Sequence, residues 1–366
     1  MRSYIADIMY DRRKDFASLP LRVVLRILSV IYSLVISVKN YLYDKRVFKT
    51  NDVPCRVVSI GNLTVGGTGK TPAAIMTAKL LMAEGYKVAV VSRGYGRKEK
   101  TPLVVSDGVK ILATPAESGD EPYIIASSVT GVPVVVGADR YRAAELAFQR
   151  FRPDVIVLDD AFQHRRLYRN ADIVTLDAGD PYGNDYLLPR GILRESPWSL
   201  SRAKAVIITR YHEDMHREKI ERMVKYYNRN VPIFFSKHVP KALRIPFSVQ
   251  CRDPEFIRDK KIAALSNIAC PSSFRQTLVS LGGDVAVHHS MDDHHRYTAQ
   301  ELNRLEREIP DSGADILVMT AKDERNLPDS YRFKTVPAFV LDIEASITEQ
   351  KEEYLKIVEP QKLRKK

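Results

Sequence analysis

A chain of 366 residues with 45% apolar and 28% charged residues holds enough material for two ordinary domains and is not composed like a disordered protein. Its formal charge of +12 suits nucleic acid, an anionic membrane or a polyanionic substrate; with no repeat, RNA-binding signature or zinc-finger spacing, no nucleic acid partner is expected. The widely spaced Cys55, Cys251 and Cys270 form no Cys-x-x-Cys pair, so neither a disulfide framework nor a cysteine zinc site is expected and a reducing compartment fits.

The first 50 residues read as a basic, apolar helical segment. Ile27 to Val38 is an uncharged run of 12 residues, about 18 Å of helix against a hydrocarbon core of about 30 Å. Arg12, Arg13 and Lys14 precede it, and Lys39, Lys45, Arg46 and Lys49 follow. No small-residue cleavage site follows the run, so a cleaved signal is not expected. The basic flanks favour a helix lying in a membrane interface over one that crosses it, and over an ordinary core helix.

Residues 51–231 alternate apolar runs with amphipathic stretches. Strands are expected at Arg56–Ile60, Val88–Ser92, Val132–Gly137, Val155–Asp159, Ile173–Leu176 and Ala205–Thr209, and helices at Pro72–Glu84 and Arg140–Phe151. Near-continuous Val/Ile runs alternating with helices predict a P-loop NTPase-like α/β fold, its sheet mainly parallel and flanked by helices. A proline-marked linker is expected at 232–246. A smaller α/β domain follows over 247–345, with strands at Ile262–Leu265, Val285–His288, Ile316–Thr320 and Val336–Leu341 and helices near 272–281 and 298–308. A C-terminal helix and basic tail complete the chain over 346–366.

Gly61-Asn62-Leu63-Thr64-Val65-Gly66-Gly67-Thr68-Gly69-Lys70-Thr71 stands between the first strand and its helix. Such a turn aims backbone N–H groups at an anion, and a Lys-Thr pair grips terminal phosphates and Mg²⁺. The generic pattern has glycine where this chain has Thr64. Val155-Ile156-Val157-Leu158-Asp159-Asp160 ends a strand in two carboxylates, within reach of a metal that Thr71 would also bind. Glu117-Ser118-Gly119-Asp120-Glu121-Pro122 offers two further acids as candidate bases, or equally a helix start capped by Ser118. Ser92-Arg93-Gly94-Tyr95-Gly96-Arg97, Gly137-Ala138-Asp139-Arg140 and Leu188-Pro189-Arg190-Gly191-Ile192-Leu193-Arg194-Glu195 place arginines at strand ends, where bidentate phosphate binding is natural. Met291-Asp292-Asp293-His294-His295-Arg296-Tyr297-Thr298 precedes a helix; adjacent side chains on an extended loop diverge, so one histidine in a cleft is expected rather than two on a metal.

Together the phosphate loop through Pro72, Ser92-Arg93-Gly94-Tyr95-Gly96, Gly119-Asp120-Glu121-Pro122, Asp159-Asp160-Ala161-Phe162-Gln163-His164-Arg165, Leu193-Arg194-Glu195 and Asp293-His294-His295-Arg296-Tyr297-Thr298 resemble the tetraacyldisaccharide 4′-kinase family, the lipid A 4′-kinases of Gram-negative bacteria. Thr64 is the family's own form of the loop; Thr320-Ala321-Lys322-Asp323 departs from it, with alanine where glutamate is expected. The resemblance implies transfer of the ATP γ-phosphate to the 4′-hydroxyl of a tetraacylated disaccharide 1-phosphate, at the cytoplasmic face of the inner membrane. It implies that Thr64, Val65, Gly66, Gly67, Thr68, Gly69, Lys70 and Thr71 bind nucleotide, with Lys70 on the β- and γ-phosphates. Mg²⁺ would be organised by Thr71 and Asp160, with Asp159 or Glu121 assisting. Asp120 would be the base, tuned by a histidine of the second domain, His294 in preference to His295, as the domains close. Asn62, Arg93, Tyr95, Arg140, Gln163, Arg194 and Glu195 would contact substrate or nucleotide. The rival reading is a membrane-associated regulatory P-loop NTPase acting through a protein partner. A guanine-specific switch should carry Asn-Lys-x-Asp, and Thr320-Ala321-Lys322-Asp323 has the wrong spacing.

Overall fold

The computed structural model describes residues 2–13, 15–212, 215–248, 250–268, 271–291, 295–328, 331–347 and 349–360. Two compact units emerge: Met1–Lys237 with Ser346–Lys366, and His238–Ala345. Unit 1 begins with helices α1 (Arg2–Met9) and α2 (Leu19–Asp44), then strand β1 (Arg56–Asn62), α3 (Lys70–Ala83), β2 (Val88–Ser92) and β3 (Leu103–Asp107). The short α4 (Pro115–Ser118) and α5 (Asp120–Ser128) lead to β4 (Pro133–Val136), α6 (Arg140–Phe151), β5 (Val155–Asp159), β6 (Ala171–Asp177), β7 (Ala205–Thr209) and α7 (Arg217–Tyr227). Strand β8 (Ile233–Arg244) carries the chain into unit 2. There follow β9 (Cys251–Arg252), β10 (Lys261–Leu265), α8 (Pro271–Ser280), β11 (Asp284–His289), α9 (Ala299–Glu308), β12 (Ile316–Thr320), α10 (Ala321–Arg325) and β13 (Ala338–Ile347). The chain then returns to unit 1 with α11 (Lys351–Val358).

In unit 1 the strands run in the order β8-β7-β6-β1-β5-β2-β4-β3. All neighbours are parallel except the edge strand β3, which is antiparallel to β4. β1, β2, β5 and β7 are buried almost throughout, as a sheet covered by helices on both faces requires. One core layer sets Ala143, Ala144 and Ala147 of α6 against Val91, Ile156 and Leu158; another gathers Leu63, Phe162, Val206, Val224 and Phe235. The expected α/β fold with a mainly parallel sheet is therefore formed. In unit 2 the order is β11-β10-β12-β13, all parallel. There β9 lies antiparallel to the last residues of β8.

The stretch read from sequence as a linker, 232–246, holds β8, which pairs with β7 through Ile233–Phe235 and with β9 through Leu243 and Arg244. Pro240 lies between these paired stretches; proline excludes a segment only from a central ladder. Residues 346–358 are part of unit 1: Tyr354 is fully buried with its hydroxyl 2.6 Å from Thr77 Oγ1, and Arg56 donates to the carbonyls of Ile357 and Val358. Cys55 and Cys251 are free thiols; Cys270 lies outside the described residues.

Helix α2 is longer than the uncharged run suggested, and the stretch Phe16–Asp44 is long and apolar enough to cross a membrane by length and composition. Several of its polar residues bond to the rest of unit 1. Ser29 donates to Leu187 O, Tyr32 to Arg194 O and Asn40 to Glu195 Oε2, while Arg165 donates to Asn40 O and Asp44 Oδ1. Spacings of three, eight and four residues keep these groups on one stripe. Val23, Ile27, Val30, Ile31, Leu34 and Val38 are each half or more exposed on the rest of the helix. The helix thus turns a bonded polar stripe inward and leaves much of its apolar surface outward.

Candidate active site

The site forms where the parallel strands of unit 1 end, the edge at which open α/β sheets bind ligands. The phosphate loop leaves β1 and enters α3 at Gly69, whose φ of 74° is left-handed. A Cβ there would lie 3.1 Å from Thr209 Cγ2, so glycine meets both a conformational and a steric demand. Thr64, where the generic pattern has glycine, forms an antiparallel bridge with Leu193, and Val65 N donates to Ile192 O. The backbone there is extended, so a β-branched residue fits. The left-handed turn falls at Gly66 instead.

Side chains beneath the loop fix its shape. Asn62 Nδ2 donates to Thr68 Oγ1 at 2.8 Å, Thr68 Oγ1 meets Thr175 Oγ1 at 3.0 Å, and Thr209 Oγ1 donates to Thr68 O. Gln163 donates to Asn62 O at 2.8 Å. Asn62 is fully buried, and both it and the half-buried Gln163 support the loop in this structure. Lys70 is buried and its Nζ lies 3.2 Å from Gly66 O, across the mouth of the loop.

Asp159 is the centre of charge. It ends β5 with no solvent exposure, takes Thr71 Oγ1 at 3.4 Å on one oxygen and Ser92 Oγ at 3.1 Å on the other. Burial first, then the charges of Glu121 and Asp160, push its carboxyl up to about 7, against the pull of Lys70. Asp160, in the left-handed region at φ 48°, has both oxygens held by Arg194 at 2.9 and 3.1 Å. Burial would raise it, but Lys70, Arg194 and Arg140 outweigh that and hold it below the usual carboxylate range. Sequence ranked Asp160 first beside Thr71; the geometry sets Asp159 there and gives Asp160 to the arginines.

Arg140 is buried, donates to Ala138 O and Asp160 O, and has no partner at Nε among the described residues. Burial, then the neighbouring Arg93, lowers it to about 10. Glu195 is 2% exposed and its Oε2 takes Asn40, Ser199 and Arg202. In this structure the carboxylate anchors α2. Arg93 and Tyr95 are exposed on the loop after β2, with Tyr95 at 80%. That loop passes so close to Gly119 that a Cβ there would lie 2.9 Å from Tyr95 O. Asp120 and Glu121 are therefore beside it. They open α5 rather than lie on a loop, and the capping pair before them is Thr114 and Glu117, not Ser118.

In unit 2, Asp292, Asp293 and His294 lie outside the described residues. His295 Nε2 sits 3.2 Å from Glu301 Oε2, in the capping box of α9. Asp323 is buried in the capping box of α10 and cannot read a nucleotide base. Sequence reasoning passed over Ser92, Thr175, Thr209 and Asn40. The first three are small polar residues near the carboxyl ends of Val/Ile strands, a usable signal; Asn40 carried none.

The described residues contain no group of three or more His, Cys, Asp and Glu side chains that could hold a metal on their own. Mg²⁺ bound with nucleotide needs only one or two carboxylates, the remaining ligands being phosphate and water. A buried carboxylate against a threonine hydroxyl, crowded by two like charges, fits that requirement.

A sequence model of the family described as tetraacyldisaccharide-1-P 4′-kinase matches residues 21–359. A tetraacyldisaccharide 4′-kinase of Syntrophus aciditrophicus (strain SB) is 42% identical over 348 residues, 93% of this chain and 92% of that protein. One from Halothermothrix orenii is 35% identical over 365 residues, covering 95% and 94%. Among solved structures, a crystal structure of LpxK from Aquifex aeolicus in complex with ATP is similar with a TM-score of 0.72 and 30% identity, over 92% of this chain and 98% of that one.

Proposed function

The chain belongs to the tetraacyldisaccharide 4′-kinase family, the ATP-dependent kinases of lipid A biosynthesis, and on that premise we propose which of its groups carry the transfer of the ATP γ-phosphate to the 4′-hydroxyl of tetraacyldisaccharide 1-phosphate. The observation that carries the assignment is the meeting of Thr71, Asp159 and Lys70 at the end of β1 and β5.

Residues 64–71 cradle the nucleotide phosphates, and Lys70 moves from the Gly66 carbonyl to the β- and γ-phosphates. Thr71 and Asp159 would hold Mg²⁺, with Glu121 and Asp160 near enough to share its field, and a metal there would supply charge neutralisation to the transferring phosphoryl group. Arg194 keeps Asp160 ionised and oriented. Arg93, Tyr95 and Arg140 surround the acceptor side, where the open Nε of Arg140 suits a phosphate oxygen. Asp120, at the first turn of α5, accepts the proton of the 4′-hydroxyl; a loose transition state asks little of the base early in transfer. His294 is assigned to tune Asp120, a choice supported by the engagement of His295 with Glu301.

The N-terminal apolar helix suggests membrane association. We assign α2 to the interface on the cytoplasmic side, where ATP is available. Its bonds to the catalytic unit from Ser29 to Asp44 support a helix lying in the interface, because crossing would break them. The test is label transfer from γ-labelled ATP to purified tetraacyldisaccharide 1-phosphate. Label appearing at the 4′-position, lost in Lys70→Ala, is expected. ATP hydrolysis without lipid labelling would favour the regulatory NTPase.

A further inference from the structure

Helix α1 and the turn after it precede the part of the chain that the family model matches, which begins at residue 21. They are nonetheless fastened to unit 1 beside the phosphate loop. Ile8 is fully buried, and its carbonyl accepts from Arg190 at 3.0 Å. The same guanidinium, itself buried, reaches Asp11 Oδ1 at 2.7 Å, and Asn184 Nδ2 donates to Met9 O at 3.0 Å. Residues 8, 9 and 11 are therefore all held, and Tyr10 stands between them.

The segment that holds them also shapes the loop. Val65 N donates to Ile192 O at 2.7 Å and Arg194 N to Leu63 O at 2.6 Å. Residues 184–194 thus tie α1 on one side and the phosphate loop on the other. The result is a close approach: a Cβ built on Gly66 would lie 3.5 Å from the hydroxyl of Tyr10. Gly66 is exposed and its carbonyl takes Lys70 Nζ. Tyr10 therefore meets the loop at the end where the lysine serves the terminal phosphates. The Arg12 guanidinium stands 5.1 Å from the Tyr10 ring centroid and brings positive charge to the same place. The ring is exposed and walls a cavity of about 220 Å³ with Asp180, Gly183 and Ile192, so it is not packed as a core residue.

We propose that Tyr10 is a nucleotide-binding residue whose hydroxyl donates to an oxygen of the terminal phosphate of ATP. This rests on the reading of residues 64–71 as the phosphate cradle. Arg190 and Asn184 are its positioning residues, because they fix the backbone on either side of it.

The test is equilibrium titration of the full chain in detergent with nucleotide and Mg²⁺, without lipid acceptor. Tyr10→Phe removes one hydroxyl and keeps the ring. Its Kd for ATP should rise about tenfold, as for loss of a hydrogen bond to a charged group, with Kd for ADP within about twofold and Tm kept. Arg190→Gln, which loosens the segment, should weaken ATP to a similar extent, and adding Tyr10→Phe should then cost little more. Wild-type ATP affinity in Tyr10→Phe, with the loss still present in Lys70→Ala, would overturn this contact and leave the cradle standing. Equal weakening of ATP and ADP would also overturn it, as would tighter ATP binding, the sign of a segment that blocks the loop. Wild-type ATP affinity in Lys70→Ala would remove the cradle and this inference together.

Discussion

Replacing Asp159 by Asn should stabilise the nucleotide-free enzyme, and by an amount that grows with pH. The carboxyl ionises near 7 in the folded protein against an ordinary value of 3.8. Because the folded value is the higher, the stability this group contributes is fully present below about pH 3.8 and is lost as pH rises towards 7. At about 1.36 kcal/mol per pH decade, the loss reaches about 4 kcal/mol by neutral pH, with about 2.5 kcal/mol of it falling between pH 5 and 7.5. Asparagine stays neutral throughout and can still accept from Ser92. The gap between variant and wild type should therefore widen by that amount over the same interval. Urea unfolding in detergent and chelator measures it, followed by the fluorescence of Trp198, the chain's single tryptophan, which lies in unit 1. Added Mg²⁺ should narrow the gap by stabilising only the wild type. A gap that stays constant within about 0.5 kcal/mol from pH 5 to 7.5 would refute the account of Asp159 as a buried, crowded carboxylate.

Lys70→Ala should lower kcat/KM by about 10²-fold or more with circular dichroism unchanged, since it removes a preorganised charge from the developing phosphoryl charge; turnover within about threefold of wild type would contradict this. Ile27→Ser, Ile31→Ser and Leu34→Ser together should release the enzyme from anionic vesicles in sedimentation with little change in Tm, because all three are more than half exposed. Glu195→Gln should instead lower stability by about 1–3 kcal/mol, since Arg202 would lose its charged partner. Asp120→Ala should cut kcat while keeping ATP affinity and Mg²⁺ dependence, whereas Thr71→Val should raise the Mg²⁺ requirement about tenfold; a shifted Mg²⁺ titration in Asp120→Ala would make that residue a metal ligand.

The β-strands that build the site were legible because strands buried on both faces must be written in Val, Ile and Ala, as Val155–Asp159 and Ala205–Thr209 are. The edge strand β3 escaped notice because Leu103–Asp107 has only a short apolar run and an antiparallel neighbour. The phosphate loop was legible as a glycine-rich turn between strand and helix, and the bridge from Thr64 to Leu193 accommodates its irregular position. The ranking of Asp159 and Asp160 was not legible: adjacent carboxylates differ only in which way each points, and a left-handed φ at Asp160 decides it. The bonding of Glu195 to α2 was illegible for a related reason. A motif tells which residues matter, not whether they face a ligand or the neighbouring helix. In α2 the inward-facing groups Ser29, Tyr32 and Asn40 are visible only in the folded structure, where each finds a partner in the loops around 187–195.

Because unit 2 interrupts unit 1 in the chain, the order of synthesis matters. Arg56, which opens β1, is satisfied by the carbonyls of Ile357 and Val358, and Thr77 of α3 by Tyr354. The ribosome must therefore make the whole of unit 2 before the first strand and first crossover helix of unit 1 receive their last partners. Until then the nascent chain holds an apolar helix and an unlatched parallel sheet, a state suited to chaperone or membrane engagement and exposed to proteolysis. Emergence of α11 from the ribosome supplies those partners, so a chain stalled near residue 345 should remain protease-sensitive across residues 56–83.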